Sequence, residues 1–224
     1  MKTIYDKMWD DALEKLEKGE LEIDPYINYK NDLRRGITLL IKPEKNLLNS
    51  FGDFIKNVMV KEPGQYFYKP EEIHVTVLSI INCSVEFKLS RIHLPDYLTA
   101  IENSLKNIHP FNIEFKGITA SPSCLLFQGF PENNNLEIIR NNLRAEFNRG
   151  ELFHSIDARY KIKTAHCTAA RFMEGLKDKN VFIDLLKENR EKYFGNTRVS
   201  EIGLVYTDWY HKKENVKELY KFKL

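Results

Sequence analysis

Two short stretches of the chain repeat the order histidine, any residue, threonine. HVTV (residues 74–77) lies in the apolar run EEIHVTVLSII, and HCTA (residues 166–169) lies in TAHCTAA. Side chains alternate between the two faces of a β-strand, so each histidine shares a face with the threonine two positions later. Because both stretches are otherwise typical of buried strands, we interpret the four polar side chains as parts of a site.

Two histidines and two threonines suit the cleavage of a phosphodiester bond. Imidazoles titrate near neutral pH, so His74 and His166 can divide the work. One accepts a proton from the attacking water or hydroxyl, and the other protonates the oxygen that departs on the opposite side of phosphorus. The hydroxyls of Thr76 and Thr168 can hold the non-bridging phosphate oxygens. The sequence does not indicate which histidine is the acid.

This chemistry needs no cofactor, and the sequence indicates no metal site. Mg²⁺ prefers clustered carboxylates and Zn²⁺ needs a third ligand, and neither pattern is present. Cys167 adjoins His166, but neighbours on a strand face opposite ways, so we interpret this thiol as a small buried side chain and not a nucleophile. The other histidines lack a partner motif, and we assign them no role: His93, His109, His154 and His211.

Composition is typical of a soluble globular protein. The 224 residues are 42% hydrophobic and 29% charged, and the net charge of +2 predicts no protein-wide attraction to nucleic acid. No apolar run approaches the roughly 20 residues that cross a bilayer, and no signal-peptide pattern is present. The three cysteines are widely spaced. We therefore expect a cytoplasmic monomer that keeps its thiols reduced and has no membrane partner.

Hydrophobic periodicity predicts helices and strands that alternate along the chain. We predict helices over residues 5–18, 45–60, 94–108, 136–149 and 180–194. We predict strands over residues 36–43, 66–81, 111–120, 123–130, 158–172, 199–209 and 218–224. We expect the first helix to pack on the domain by its apolar face, with a mobile lid as the alternative.

A strand–helix–strand unit occurs twice. GITLLIKP is followed by a helix and HVTV, and CLLFQGF is followed by a helix and HCTA. The repetition predicts two similar half-domains related by an approximate twofold axis. Such an axis brings the two histidine motifs to opposite sides of one bound phosphate.

The paired motifs resemble those of the 2H phosphoesterase superfamily, which includes bacterial 2′-5′ RNA ligase-like proteins and RNA cyclic phosphodiesterases. The resemblance covers residues 36–224 and includes the closing pair VSEIGLVYTD and ELYKFKL, while residues 1–35 have no counterpart and are expected to form a helical N-terminal extension. It implies a bilobal α+β fold with two antiparallel-rich sheets and flanking helices around a central cleft. It also implies metal-independent action on 2′,3′-cyclic phosphates or related 2′-linked nucleotide ends. Ala169 is smaller than the usual aliphatic residue, which leaves the subfamily and its substrate open.

Two further residues are candidates for substrate binding. Arg171 follows His166 by five positions, where the resemblance also implies an arginine. Strict alternation turns Arg171 away from His166, whereas a bulge or a strand end turns it towards the phosphate. Tyr206 can stack on a base, with a core position as the alternative. Four more residues are weaker candidates for the cleft or its rim: Tyr66, Tyr68, Arg34 and Arg35.

We therefore predict a hydrolase that opens 2′,3′-cyclic phosphates on an RNA 3′ end or a small nucleotide. Two alternatives stay open. The same fold can act on 2′-5′-linked oligonucleotides or on cyclic signalling nucleotides, which analysis of products would separate. A non-catalytic module that binds an RNA end would instead bind without turnover.

Overall fold

Helices and strands alternate along the chain, as the computed structural model describes it for residues 3–224. Helices α1 to α5 span Ile4–Lys18, Lys45–Lys61, Leu94–Leu105, Asn135–Arg149 and Lys179–Glu188. Strands β1 to β9 span Arg35–Ile41, Tyr66–Phe67, Val75–Ser84, Phe111–Ser121, Cys124–Pro131, Cys167–Arg171, Tyr193–Val199, Glu201–Thr207 and Lys217–Lys223. Within the described residues, no helix is both long and apolar enough to cross a membrane.

The strands form one curled antiparallel sheet with flanking helices, which confirms the predicted α+β class. Its order is β7-β4-β5-β6-β3-β1-β8-β9, and the short β2 pairs with β6. The two predicted sheets are the two halves of this sheet, β7-β4-β5-β6 and β3-β1-β8-β9. They join where Val75 of β3 pairs with Cys167 of β6. The two histidine motifs therefore meet at the centre of the molecule.

The predicted repeat is present and its two copies interlock. One copy is β1-α2-β3 and the other is β5-α4-β6, and in each copy the two strands pair directly. Helix α2 packs on β6 and β7 of the opposite half, and α4 packs on β3. Phe51 of α2 stacks on Phe127 of β5 with ring centroids 3.8 Å apart. The helix of each repeat therefore packs on strands of the opposite half of the sheet.

Helix α1 is docked on the domain. Thr3 and Asp6 cap its first turn reciprocally, and Gly19 ends it in the left-handed region at φ 73°. Its apolar face packs against β4 and α5. Arg190 pairs with Asp6 at 2.7 Å and lies over the ring of Trp9 at 4.6 Å. Residues 1 and 2 of the predicted extension lie outside the described residues.

Three predicted elements differ from the observed ones. In the predicted strand 66–81, Pro70 separates β2 from β3, because proline cannot donate to a strand ladder. Most of the predicted strand 158–172 is loop before Cys167, with its cationic side chains in solvent. The predicted helix 180–194 ends at Glu188, and Tyr193 begins β7, whose apolar residues pair with β4.

Candidate active site

A small cleft of about 110 Å³ lies where the two halves of the sheet join. Val75 and Cys167 are paired and fully buried on the far face. The antiparallel register then sets His74 opposite Thr168 and Thr76 opposite His166, all four lining the cleft. The histidines therefore occupy one diagonal of a four-residue square, where Cβ atoms are about 7–8 Å apart, and the threonines occupy the other. A phosphate held on the threonine diagonal would have an imidazole on each side.

His74 is oriented by the loop that precedes β3. Its Nδ1 lies 2.6 Å from the backbone carbonyl of Glu72. A carbonyl can only accept, so Nδ1 donates, and Nε2 is left as the acceptor of the neutral ring. The Glu72 side chain fixes this loop, since its Oε2 accepts from the backbone N–H of Lys69 and the hydroxyl of Tyr66, both at 3.0 Å.

His166 is held by a hydroxyl. Its Nδ1 lies 2.7 Å from Oγ1 of Thr164, which can donate or accept, so either tautomer of this ring is satisfied. The two histidines of the repeat therefore differ. The Glu72 carbonyl specifies one tautomer of His74, whereas His166 can adopt either tautomer.

Both imidazoles are neutral at neutral pH. Burial, and after it the charge of the nearby Lys42, lowers the pKa of His74 to about 3. Burial also lowers the pKa of His166 to about 4, with a smaller contribution from Arg140 and Arg171. Nearby positive charges of this kind favour a bound anion, which in turn raises the pKa of the imidazoles beside it.

Arg171 lies in the cleft because β6 carries an irregularity. The register of β6 against β5 shifts between Leu125 paired with Ala170 and Leu126 paired with Thr168, which leaves Ala169 as an extra residue. A bulge of this kind reverses the alternation of side chains beyond it. The guanidinium Nε of Arg171 donates to the hydroxyl of Tyr68 at 2.9 Å, so that its charge is held beside the histidines.

Tyr206, which the sequence suggested as a residue that stacks on a base or packs in the core, does not line the central cleft. It pairs with the buried Ile37 of β1. Its ring packs towards Phe87 at a centroid distance of 6.1 Å.

Of the weaker candidates, Tyr68 lines the cleft, whereas Arg34 is paired with Asp32 at 2.7 Å.

A third histidine, His211, lies in the cleft, although its sequence context indicated no role for it. The His211 ring packs on the His74 ring at a centroid distance of 4.0 Å and a tilt of 38°. Its backbone is left-handed at φ 56°, an uncommon conformation for a residue with a side chain. Its Nδ1 is buried without a hydrogen-bond partner in residues 3–224, and burial lowers its pKa. No motif marks this position, since a loop after β8 delivers it.

Arg140 of α4 supports both motifs from behind. Its guanidinium donates to the carbonyls of Thr76 and Val77 at 2.8 Å and to the carbonyl of Thr164 at 2.9 Å. Burial lowers its pKa to about 10. The sequence did carry a signal for this residue, since Arg140 lies at helical spacing among the apolar positions Leu136 and Leu143.

The fold of the chain is similar to that of solved structures. TT0787 of Thermus thermophilus is 18% identical with a TM-score of 0.64, and the match covers 84% of this chain and 97% of that one. Escherichia coli LigT, solved with 3′-AMP, is 10% identical with a TM-score of 0.58, over 85% and 98% of the two chains. A structure described as a phosphoesterase is 12% identical with a TM-score of 0.55, over the same shares.

Comparison at the level of sequence finds no such relatives. No protein-family model matches the chain, and the search of curated proteins gives no match. At identities below 20%, the likeness is one of architecture, and the chemistry has to be argued from the cleft itself. The shared architecture includes the antiparallel curled sheet and its flanking helices. The chain therefore shares the fold of these solved structures, in agreement with the α+β fold that its paired His-x-Thr motifs implied.

Proposed function

We propose that the protein is a phosphoesterase that hydrolyses 2′,3′-cyclic phosphates at the 3′ end of RNA or on nucleotides, by His/His acid–base catalysis. The observation that carries this proposal is the square of His74, Thr76, His166 and Thr168, with the imidazoles on one diagonal. In-line displacement at phosphorus needs a base and an acid on opposite sides, and this square supplies both. Arg171 would balance the negative charge of the phosphate.

The surroundings of the two rings favour His74 as the base and His166 as the acid. The Glu72 carbonyl accepts from Nδ1 of His74 and leaves its Nε2 ready to accept a proton, whereas the Thr164 hydroxyl satisfies Nδ1 of His166 in either state of that ring. In this assignment His74 takes a proton from water while the water oxygen forms the new bond to phosphorus. The bond from phosphorus to one ribose oxygen breaks, and His166, protonated from solvent once the bound phosphate has raised its pKa, gives its proton to that oxygen. The product is a phosphomonoester, and proton exchange with solvent restores both rings.

Two solved structures of one neighbour support this class of ligand. LigT has been crystallised with 3′-AMP and, separately, with phosphate. A ribonucleotide with a 3′-phosphate is the kind of product that the proposed reaction forms. We extend this ligand class to the present chain as part of the proposal.

The test is turnover of adenosine 2′,3′-cyclic phosphate in the presence of EDTA. His74→Ala and His166→Ala should each lower kcat/KM by about 10²–10⁴, the usual contribution of a general acid or base. His109→Ala is the matched control, because His109 is exposed and lies outside the cleft. Circular dichroism would verify that each variant is folded.

Two results would contradict the proposal. Turnover that survives both histidine substitutions would remove the imidazoles from the chemistry. A wild-type protein that binds the cyclic phosphate and forms no product would instead indicate a binding module.

A further inference from the structure

A second and larger cavity opens beside His166. Its volume is about 460 Å³, within the range of small-molecule sites. It lies between α1, the loop of residues 159–164, and strands β5 and β6. We call it the α1 pocket. Its wall and that of the central cleft share five residues: Tyr160, His166, Thr168, Arg171 and Trp209. The two cavities are therefore adjacent, and His166, Thr168 and Arg171 face both.

The lining of the α1 pocket carries charge of one sign. Arg159, Lys161 and Lys163 come from the loop, and Arg171 comes from β6. Among the described residues that line the pocket, there is no aspartate or glutamate. This contrasts with the whole chain, in which 34 basic residues are balanced by 32 acidic ones. A local cluster of this kind attracts anions even though the protein as a whole is nearly neutral.

The three loop cations are available to a ligand. Over residues 3–224, no ion pair within 4.0 Å is formed by Arg159, Lys161 or Lys163. The Lys161 charge does help to lower the pKa of Asp157, but that carboxylate is engaged by Arg144 at 2.6 Å. The cations therefore lack the local partners that would compete with a phosphate.

The pocket also offers surfaces for a base. The Arg159 guanidinium lies over the Trp209 ring at 4.1 Å, and Tyr160 is 64% exposed at the rim. Aromatic rings and guanidinium planes are the surfaces on which single-stranded bases stack. Ile4 and Met8 of α1 form an apolar wall. The helix that carries them is fixed by the buried Tyr5, whose hydroxyl donates to the Gly129 carbonyl at 3.1 Å.

We propose that the α1 pocket binds the second phosphate of an RNA substrate, which is 5′ to the terminal ribose, together with the nucleoside beyond it. The proposal rests on the proposed function, since the terminal phosphate has to lie between His74 and His166. Lys161 and Lys163 pair with the second phosphate, and the nucleoside stacks at Tyr160. The preferred substrate is therefore an oligonucleotide end, and a mononucleotide fills only the central cleft.

Binding of three probes by titration calorimetry tests the proposal. Adenosine 3′-phosphate has one phosphate, adenosine 3′,5′-bisphosphate adds the second, and the dinucleotide ApAp adds the nucleoside beyond it. We expect affinity to rise in that order. Lys161→Ala/Lys163→Ala should weaken ApAp about tenfold more than it weakens adenosine 3′-phosphate. It should also reduce the slope of log affinity against log salt for ApAp by about 0.7 for the phosphate contact that is lost.

Further variants separate charge from stacking. Tyr160→Ala should weaken ApAp by about tenfold and the bisphosphate much less, because stacking on an aromatic ring contributes to base binding. Lys187→Ala/Lys217→Ala removes the same charge from exposed positions outside both cavities and should leave all three affinities unchanged. Equal affinity of the three probes, or an equal loss for all three in the Lys161/Lys163 variant, would overturn the proposal.

Turnover of adenosine 2′,3′-cyclic phosphate, measured in parallel, decides the proposed function separately. Hydrolysis without any preference among the three probes contradicts the role of the α1 pocket and leaves the proposed function standing. Absence of hydrolysis with the expected order of affinities contradicts the proposed function and retains the pocket as a binding site.

Discussion

His74 is enclosed by groups that keep it neutral. The His211 ring covers one face, the Glu72 carbonyl accepts from its Nδ1, and Lys42 adds a nearby positive charge. His211 is itself held in place, since its backbone N–H donates to the carbonyl of the buried Asp208 at 3.4 Å. The side chain of Asp208 also organises this loop by accepting from the backbone N–H of Lys212 at 3.0 Å.

Removing the imidazole of His211 should raise the pKa of His74. In His211→Asn, the shorter side chain admits water to the His74 ring, and asparagine tolerates the left-handed backbone at this position. The pKa of His74 should then move from about 3 towards the ordinary value of 6.5. Titration of the histidine ring resonances by NMR would measure this shift.

The matched control for that titration is His109→Asn, which replaces an exposed histidine outside the cleft. It should leave the His74 resonances unchanged. A His74 pKa that stays near 3 in His211→Asn would mean that His211 does not account for the desolvation of this ring.

The two His-x-Thr faces were predictable because strand alternation is a local property of the backbone. Arg171 and Tyr206 were not, because their directions depend on partner strands. The register shift against β5 turns Arg171 into the cleft, and pairing with β1 turns Tyr206 away from it. The place of His211 in the cleft could not be predicted from the sequence. It depends on a left-handed backbone conformation in a loop, and no glycine at that position signals it.

At the scale of elements, α4 connects the two motifs. Arg140 projects from this helix and bonds carbonyls of β3 and of the segment that leads into β6. Those carbonyls belong to the backbone directly behind the cleft. The helix therefore fixes the spacing between the two halves of the square.

Arg140→Met should destabilise the protein by about 3 kcal/mol, since buried carbonyls that lose a charged donor keep their desolvation cost. The free energy of unfolding in urea would measure this loss. Arg149→Met, on the exposed end of the same helix, should change the free energy by less than about 0.5 kcal/mol. Equal effects of the two substitutions would show that the three bonds of Arg140 contribute no net stability.

Predicted helices and strands agree with the structure where periodicity and length are both clear, as in α2 and α4. Residues 158–166 were wrongly predicted as strand because their polar and apolar residues alternate, although no strand lies beside them to pair with. The predicted helix 180–194 included the first two residues of β7, because Tyr193 and Phe194 continue its apolar pattern. Pairing with β4 is what makes these two residues part of a strand and not of a helix.

At the scale of the whole molecule, the two halves are expected to unfold together. Each half takes a helix from the other, and the sheet runs through both. Losing the β3–β6 junction would expose the core under α2, including the stacked Phe51 and Phe127. A change in the protonation of the central histidines should therefore alter the stability of the entire chain.

Stability should fall as the pH is lowered from about 6.5. In the unfolded chain His74 and His166 have ordinary pKa values near 6.5, whereas in the folded protein their values are about 3 and about 4. Between these limits the unfolded state binds more protons, so acid favours it. Each histidine should contribute a slope of up to about 1.4 kcal/mol per pH unit.

Urea denaturation between pH 4.5 and pH 7, in a buffer without phosphate, would measure this slope. His166→Gln should reduce the slope of stability against pH by the contribution of one histidine. His93→Gln, at an exposed position, should leave the slope unchanged. A free energy of unfolding that does not change over this range would contradict neutral, enclosed imidazoles in the folded state.

The approximate twofold axis through the β3–β6 junction has a consequence for regioselectivity. Two equivalent imidazoles around a cyclic phosphate would accept the ring in either of two orientations and would release a mixture of 2′- and 3′-phosphates. The surroundings are not equivalent, because His211 crowds the His74 side and the α1 pocket opens beside His166. The parts of the chain that break the symmetry are thus the parts that can select a single isomer.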